Sequence, residues 1–259
     1  ILEDNPTAGI TPDDVQEAFS GFHGKISQKP PMYSAVRVGG RRLYDYARAG
    51  ETVEVKEREV YIRDLEIELM DFAHDSDVKK VTFTVECSKG TYIRTICEDA
   101  GRYLGCGAAM ESLCRIASGA FLIEDAMDLN ELIDTYGGRH FEDEKYFVEA
   151  AEAQALAEIE KLVLPTDYPL THFGSVVMDE ALSKKFIDGW HISFKDCEVT
   201  ARPEFEQKEP EIEIRPEYRD AYKMYRRTVK GTDFLGVAFY SPKYKKLVAD
   251  KVFCRNDEV

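Results

Sequence analysis

A short segment in the first half of the chain places two cations and a tyrosine where a strand gives way to a helix. It runs Cys87-Ser88-Lys89-Gly90-Thr91-Tyr92-Ile93-Arg94. Such a junction directs backbone N–H groups and the positive end of the helix dipole at one point. Lys89 and Arg94 add full charges, and Arg94 can hold a carboxylate or phosphate through two parallel hydrogen bonds. The segment predicts an anion-binding turn, with a plain strand-to-helix turn and a solvated arginine as the alternative.

A second segment interleaves basic residues with tyrosines. It runs Gln28-Lys29-Pro30-Pro31-Met32-Tyr33-Ser34-Ala35 and continues as Gly39-Gly40-Arg41-Arg42-Leu43-Tyr44-Asp45-Tyr46-Ala47-Arg48. Cations suit backbone phosphates and aromatic rings suit stacked bases, so this composition fits RNA. A rigid extended arm whose tyrosines pack in the core explains the same pattern equally well.

The formal net charge of -15 argues against a nucleic-acid ligand, but the charges are segregated along the chain. Six basic residues face one acidic residue between positions 24 and 48, and nine face two between 222 and 255. Between 124 and 160, twelve acidic residues face two basic ones. The two basic stretches predict a polyanion track if the fold brings them to one face, or else ordinary solvated surface.

Length and composition favour a cytoplasmic globular protein. The 259 residues, 44% of them hydrophobic, suffice for one large or two ordinary domains. The chain lacks the roughly 18 consecutive apolar residues of a membrane span and a signal-peptide pattern in its first thirty residues. None of the six cysteines forms a Cys-x-x-Cys pair, which predicts reduced thiols and no metal site.

Apolar periodicity and turn residues predict a mixed α+β first half. Thr11 and Pro12 begin a helix of roughly three turns, and Gly39-Gly40 predicts a hairpin turn. Further helices are expected at residues 43–50, 93–104 and 110–114, and strands at 33–38, 53–69 and 81–85.

The second half is expected to end in a small β-rich module. Pro165 and Pro169 interrupt the helical period, and we place a domain boundary there. Helices are predicted after Asp128, at 143–162 and at 179–188, strands at 192–194, 234–240 and 247–253, and a solvated loop at 204–217.

Together these segments resemble the TruB-type tRNA pseudouridine synthases, which isomerise a uridine of the T arm. The matching blocks lie at residues 28–35, 40–50, 87–95, 99–105 and 113–116. The resemblance implies a catalytic domain over residues 1–165, with a mixed, mostly antiparallel sheet and flanking helices. It implies a PUA-like RNA-binding β-barrel over 166–259, no cofactor, tRNA as partner and a monomer.

The resemblance also implies roles for particular residues. Arg94 would pair with the nucleophilic aspartate, Tyr92 and Leu113 would contact the flipped uridine, and Lys89 would add positive field. The residues expected to bind RNA are Lys25, Lys29, Tyr33, Arg41, Arg42, Arg48, Arg226 and Arg227.

One family feature does not occur in the sequence. Family members carry a Gly-x-Leu-Asp segment whose aspartate is the nucleophile, and this pattern is found nowhere in the chain. We therefore expect the chain to begin partway into the catalytic domain and to be inactive alone. The alternatives are a non-catalytic tRNA-binding or tRNA-folding module and, on net charge only, an acidic protein-interaction module.

Overall fold

The computed structural model divides the chain into two compact units. It describes residues 5–72, 79–142, 145–149, 153–204 and 219–253. The first unit ends at Leu113 and the second begins at Cys114. In the described residues, no helix is both long and apolar enough to cross a membrane.

The first unit packs helices against a small antiparallel sheet. Its elements are α1 (Pro12–Ser20), β1 (Gly24–Gln28), β2 (Arg37–Val38), β3 (Arg41–Arg42), α2 (Leu43–Arg48), β4 (Arg58–Asp71), β5 (Lys80–Cys87) and α3 (Ile93–Tyr103). Strands β1, β4 and β5 pair in that order, and β2 pairs with β3. Val15 and Phe19 of α1, Ile62 of β4 and Ile96 of α3 form the buried core.

Helix α1 begins as its capping residues predict. The Asp14 backbone N–H donates to the Thr11 hydroxyl at 3.3 Å, and the Thr11 N–H donates to the Asp14 carboxylate at 2.7 Å. This reciprocal pair satisfies two backbone donors that a helix start leaves free. The Thr11 hydroxyl and the Thr11 backbone N–H both donate to the Asp14 carboxylate, and these two bonds lower the pKa of Asp14. The predicted helix is confirmed.

In the first unit, the strand predicted at residues 33–38 is only partly correct, since only Arg37–Val38 forms a strand, and the helix predicted at 110–114 is wrong. Residues 33–36 do not form a strand, because their carbonyl groups accept bonds from the start of α2: Leu43 N–H donates to the Val36 carbonyl at 2.8 Å. Residues 110–114 do not form a helix. The chain just before these residues packs very closely against α3. A Cβ atom at Gly101 of α3 would lie only 2.2 Å from the Ala108 backbone nitrogen, so a larger residue does not fit there.

The second unit contains hairpins and helices followed by a curled sheet. Its elements are β6 (Ala117–Ser118), β7 (Phe121–Leu122), α4 (Leu129–Tyr136), β8 (Gly138–Glu142), β9 (Lys145–Glu149), α5 (Ala153–Leu162), β10 (Gly174–Met178), α6 (Glu180–Ile187), β11 (Ile192–Ser193), β12 (Glu198–Ala201), β13 (Ala221–Thr228), β14 (Gly231–Ser241) and β15 (Lys246–Val252). The main sheet has the order β11-β15-β14-β13-β10-β12, and its β10–β13 pair is parallel.

The sheet of the second unit curls around the larger of two buried hydrophobic clusters. Its two edge strands, β11 and β12, follow each other directly in the chain, so a short connection keeps the two edges close. Val176, Phe186, Met224 and Leu235 are almost fully buried in this core. The α+β class with mostly antiparallel pairing is confirmed, whereas the domain boundary at residues 165/166 stays a prediction.

The acidic helix predicted at residues 143–162 is only partly correct. Ala153–Leu162 is helical, but Lys145–Glu149 pairs as a strand with Gly138–Glu142. Residues 143, 144 and 150–152 lie outside the described residues, as does most of the loop predicted at 204–217. The aromatic and β-branched residues at 146–148 favour a strand over a helix, which explains the error.

Candidate active site

The turn between β5 and α3 is tied firmly to the sheet. The Ser88 N–H donates to the Tyr61 carbonyl at 2.8 Å, and the Tyr61 N–H donates to the Ser88 hydroxyl at 2.9 Å. The Thr91 hydroxyl then donates to the Ser88 carbonyl at 2.9 Å. Gly90 has φ +88°, which a residue with a side chain rarely adopts. The turn therefore presents the residues that follow it in a fixed direction.

The buried amide of Gln28 holds the start of α3. Gln28 ends β1 and is only 2% exposed. The Tyr92 N–H donates to Gln28 Oε1 at 3.0 Å, and Gln28 Nε2 donates to the Tyr92 carbonyl at 3.3 Å. One side chain thus bonds both backbone groups of the residue that precedes the helix, and the Tyr92 carbonyl also accepts bonds from the Thr95 and Ile96 N–H groups. Gln28 is the first residue of a matching block, but its type and position in the sequence did not predict this role.

Arg94 makes a second connection between the same two segments. It lies in the first turn of α3, is exposed, and donates from Nη2 to the Tyr33 carbonyl at 3.2 Å. The tyrosine-rich segment and the strand-to-helix turn were separate motifs in the sequence. The structure joins them through Gln28 with Tyr92 and through Arg94 with Tyr33.

Two buried hydroxyl groups lie beside these contacts. Ser34 and Thr95 follow Tyr33 and Arg94 in the chain, and neither hydroxyl oxygen has a hydrogen-bond partner in the part of the chain that the structure describes. Unsatisfied buried groups are rare in folded proteins and are often found at functional sites. One turn further along α3, burial raises the pKa of the Cys97 thiol, which therefore stays protonated at neutral pH.

A basic surface adjoins the site on the hairpin β2–β3 and helix α2, called here the basic hairpin (residues 37–48). Gly39 and Gly40 have φ +58° and +85°, as the predicted turn requires. The Arg42 and Arg48 guanidinium carbons lie 5.7 Å and 5.5 Å from the ring centroid of Tyr44. The Tyr44 N–H donates to the Ser34 carbonyl at 3.2 Å, which ties the basic hairpin to the segment that Arg94 contacts.

Four of the other predicted RNA-binding cations already face carboxylates. The Nζ of Lys25 lies 2.8 Å from Glu59, and Arg41 lies 3.0 Å from Glu51. In the second unit, Arg226 lies 2.8 Å from Asp233, and Arg227 pairs with Glu198. These ion pairs reduce the charge that each residue can offer to a phosphate.

The remaining predicted residues of the first unit lie on its surface. Lys29 and Lys89 are exposed, and Leu113 is 61% exposed in irregular backbone. Tyr33 is 62% exposed and accepts the hydrogen bond from Arg94 through its backbone carbonyl. Their roles in binding RNA or uridine remain predictions.

We expect Gln28→Leu to destabilise the protein by about 1–3 kcal/mol, because the change leaves the buried-side backbone N–H of Tyr92 without the Gln28 oxygen that accepts its hydrogen bond. Urea unfolding measures the effect. Ser27→Ala is the matched control on the same strand, since the Ser27 hydroxyl bonds an exposed Glu57. Equal unfolding midpoints for the two variants would show that the amide does not hold the turn.

Two family models match adjoining parts of the chain, which together make up its first two thirds. Residues 1–93 match the N-terminal domain of TruB family pseudouridylate synthase, and residues 94–171 match the C-terminal domain of tRNA pseudouridylate synthase B.

Several curated relatives share extended similarity with the chain. The tRNA pseudouridine synthase B of Alkaliphilus oremlandii is 39% identical over 179 residues, which are 69% of this chain and 51% of the relative. The protein of the same name from Limosilactobacillus reuteri is 31% identical over 219 residues, which are 85% of this chain and 67% of the relative. The chain therefore spans about half to two thirds of the length of these relatives.

Solved structures show the same fold at lower sequence identity. A Cbf5–Nop10–Gar1 complex aligns with a TM-score of 0.61 at 17% identity, over 98% of this chain and 65% of that chain. An H/ACA ribonucleoprotein bound to a substrate RNA containing 2′-deoxyuridine aligns with a TM-score of 0.58 at 16% identity, over 98% of this chain and 64% of that chain.

Proposed function

The chain belongs to the TruB family of pseudouridylate synthases, and on that basis we propose that the full-length protein isomerises uridine to pseudouridine in the T arm of tRNA. The observation that carries the proposal is the joining of two family motifs into one site. Gln28 fixes the backbone of Tyr92, and Arg94 bonds the Tyr33 carbonyl. The tyrosine and the arginine of the strand-to-helix turn are thereby held beside a basic surface.

The reaction needs a nucleophile, a flipped base and no external cofactor. The bond from the sugar C1′ to uracil N1 breaks, a bond from C1′ to C5 forms, and the proton on C5 is released while N1 gains one. Flipping the nucleotide out of its stack costs roughly a few kcal/mol. We propose that the Tyr92 ring and the exposed Leu113 side chain replace part of the lost stacking.

Arg94 is proposed to bind the aspartate nucleophile that the family's Gly-x-Leu-Asp segment supplies. A guanidinium beside a carboxylate lowers the carboxylate pKa and fixes its direction, which keeps it ionised for attack. Arginine has five N–H donors in a planar fork, so the bond from Nη2 to Tyr33 leaves others for the carboxylate. Lys89, at the same turn, adds a second positive charge that favours the ionised carboxylate.

The basic hairpin is proposed to hold the RNA backbone beside the site. Arg42 and Arg48 flank Tyr44, and neither forms an ion pair with a carboxylate in the described residues, so both charges are available for phosphates. Lys25, Lys29, Tyr33 and Arg41 extend this proposed surface. Arg226 and Arg227 of the second unit are proposed to contribute less, because Asp233 and Glu198 already face them.

The T-arm assignment is tested with two RNA hairpins transcribed from the same tRNA. The full-length protein is incubated with the isolated T arm and with the anticodon arm, and pseudouridine is located by chemical modification and sequencing. We expect product in the T arm and none in the anticodon arm. Product in the anticodon arm would overturn the assignment, and tight binding of the T arm without product would favour the non-catalytic alternative.

A further inference from the structure

The chain that follows helix α3 turns back onto that helix, and its residues 105–113 are called here the return segment. The Gly107 N–H donates to the Gly101 carbonyl at 2.9 Å. Gly101 is buried in α3, and a Cβ atom there would lie 2.2 Å from the Ala108 nitrogen and 2.3 Å from the Gly107 carbonyl carbon. Backbone thus packs directly on backbone at this point, which is possible because residue 101 has no side chain.

A second contact ties the return segment to the sheet of the first unit. The Nζ of Lys80, at the start of β5, lies 2.8 Å from a carboxylate oxygen of Glu111. Both side chains are more than half exposed, so this ion pair alone contributes little to stability. The close contact at Gly101 is therefore the main anchor of the return segment, and the ion pair is a weaker second one.

The main anchor lies on nearly the same face of α3 as Arg94. The two positions are seven residues apart, which is about two helical turns and roughly 10 Å along the axis. Leu113 follows Ala108 by five residues, and five extended residues span up to about 17 Å. Leu113 is 61% exposed and lies in irregular backbone, so no helix or strand fixes its place. The return segment is long enough to bring Leu113 back to the level of Arg94, and its anchor limits where Leu113 can lie.

We propose that Gly101 is a positioning residue for the isomerisation, because its close contact with the return segment determines the place of Leu113 relative to Arg94. A group that faces a reacting base must be held within a fraction of an ångström, and a misplacement of 1 Å can cost about a hundredfold in rate. The inference rests on the proposed function in giving Leu113 a contact with the flipped uridine. The contact between Gly101 and Ala108 does not depend on that function.

Gly101→Ala in the full-length protein tests the inference. Alanine favours the helical state, so α3 keeps its form while the added methyl group pushes the return segment away. We expect single-turnover pseudouridine formation to slow by about tenfold to a hundredfold, with tRNA affinity within about twofold of the original protein. Hydrogen exchange of the Gly107 amide is expected to become about tenfold faster or more, because its bond to the Gly101 carbonyl is lost.

A double-mutant cycle with Leu113→Ala separates positioning from a general loss of stability. If Gly101 acts through Leu113, then Gly101→Ala slows a protein that already carries Leu113→Ala by less than about twofold. A merely structural role would instead slow both backgrounds by the same factor.

Gly107→Ala is a second variant that places no atom in the core. Gly107 is exposed, has φ +72° and has open space around it, so alanine strains the backbone of the return segment alone. It is expected to slow the reaction about fivefold, and it replaces Gly101→Ala in the cycle if that variant does not fold. Gly9→Ala is the matched control, because Gly9 is equally exposed and open, has φ +89° and precedes α1. Its rate is expected to equal that of the original protein.

The outcomes distinguish failure of this inference from failure of the proposed function. An original protein that forms pseudouridine, with an unchanged rate in Gly101→Ala or with losses that multiply in the cycle, would overturn the inference and leave the proposed function intact. Unchanged exchange of the Gly107 amide in Gly101→Ala would overturn it as well, because the contact would then not hold the segment. An original protein that forms no pseudouridine would contradict both.

Discussion

Arg94→Ala is expected to lower the rate of pseudouridine formation by the full-length protein by roughly a thousandfold or more, while its affinity for tRNA is expected to change less than about threefold. In the proposed site, the rate would fall because the nucleophilic carboxylate would no longer have the cation that keeps it ionised and directed. The affinity is kept because Arg94 contributes one charge among many, and its hydrogen bond in the structure is to the Tyr33 carbonyl. Single-turnover kinetics with saturating protein separates the two effects.

Arg102→Ala is the matched control for this prediction. Arg102 lies on the same helix, is exposed, and pairs with Glu98 and Asp99 rather than with the turn. Its rate is expected to equal that of the original protein. The rate of Arg94→Lys is expected to lie between those of Arg94→Ala and Arg102→Ala, since lysine keeps the charge but does not have the planar fork of donors. Comparable turnover in Arg94→Ala and Arg102→Ala would remove Arg94 from the mechanism.

Reversing the charge of the basic hairpin gives the second large effect. The double variant Arg42→Glu with Arg48→Glu is expected to weaken tRNA binding at low salt about tenfold or more. Both guanidinium groups lie on the Tyr44 ring without a carboxylate partner among the described residues. The slope of log affinity against log salt concentration is expected to fall by about two, because two phosphates are no longer neutralised by arginine.

The salt dependence distinguishes phosphate binding from a general change in net charge. Arg102→Glu changes the net charge by the same amount per residue but removes a cation already paired with acids. It is expected to leave the slope unchanged. An unchanged slope in the double variant of the basic hairpin would show that these arginines are ordinary solvated surface.

Elements with local signals were predictable from the sequence. Thr11, Asp128 and Asp179 each cap the helix that follows. The side chain of each accepts a hydrogen bond from a backbone N–H only two or three residues further along the chain. Gly39 and Gly40 likewise determine their turn alone. These residues act within a few positions of the chain, so a sequence pattern suffices to identify them.

Elements that depend on distant partners were not predictable. Strand β1 has few apolar residues, and it forms because β4 pairs with all five of its positions. The helix expected at residues 110–114 is absent, and the chain just before it packs closely on α3 over Gly101. A periodic pattern contains no information about such a close approach.

The candidate site divides in the same way. Tyr92 and Arg94 could be recognised together, since both lie at one strand-to-helix turn. Their partners could not, because Gln28 and Tyr33 are 64 and 61 residues away in the chain. A buried glutamine at the end of a strand has no distinctive sequence pattern until the fold shows which backbone groups it satisfies.

The most direct test of the proposed reaction is release of tritium from tRNA that carries [5-³H]uridine. Because the new bond to the sugar forms at C5, each isomerisation frees one hydrogen from that carbon. We predict that the full-length protein releases tritium in amounts equal to the pseudouridine formed in the T arm, and that Arg94→Ala releases almost none. A folded full-length protein that binds tRNA but releases no tritium would contradict the proposed isomerisation.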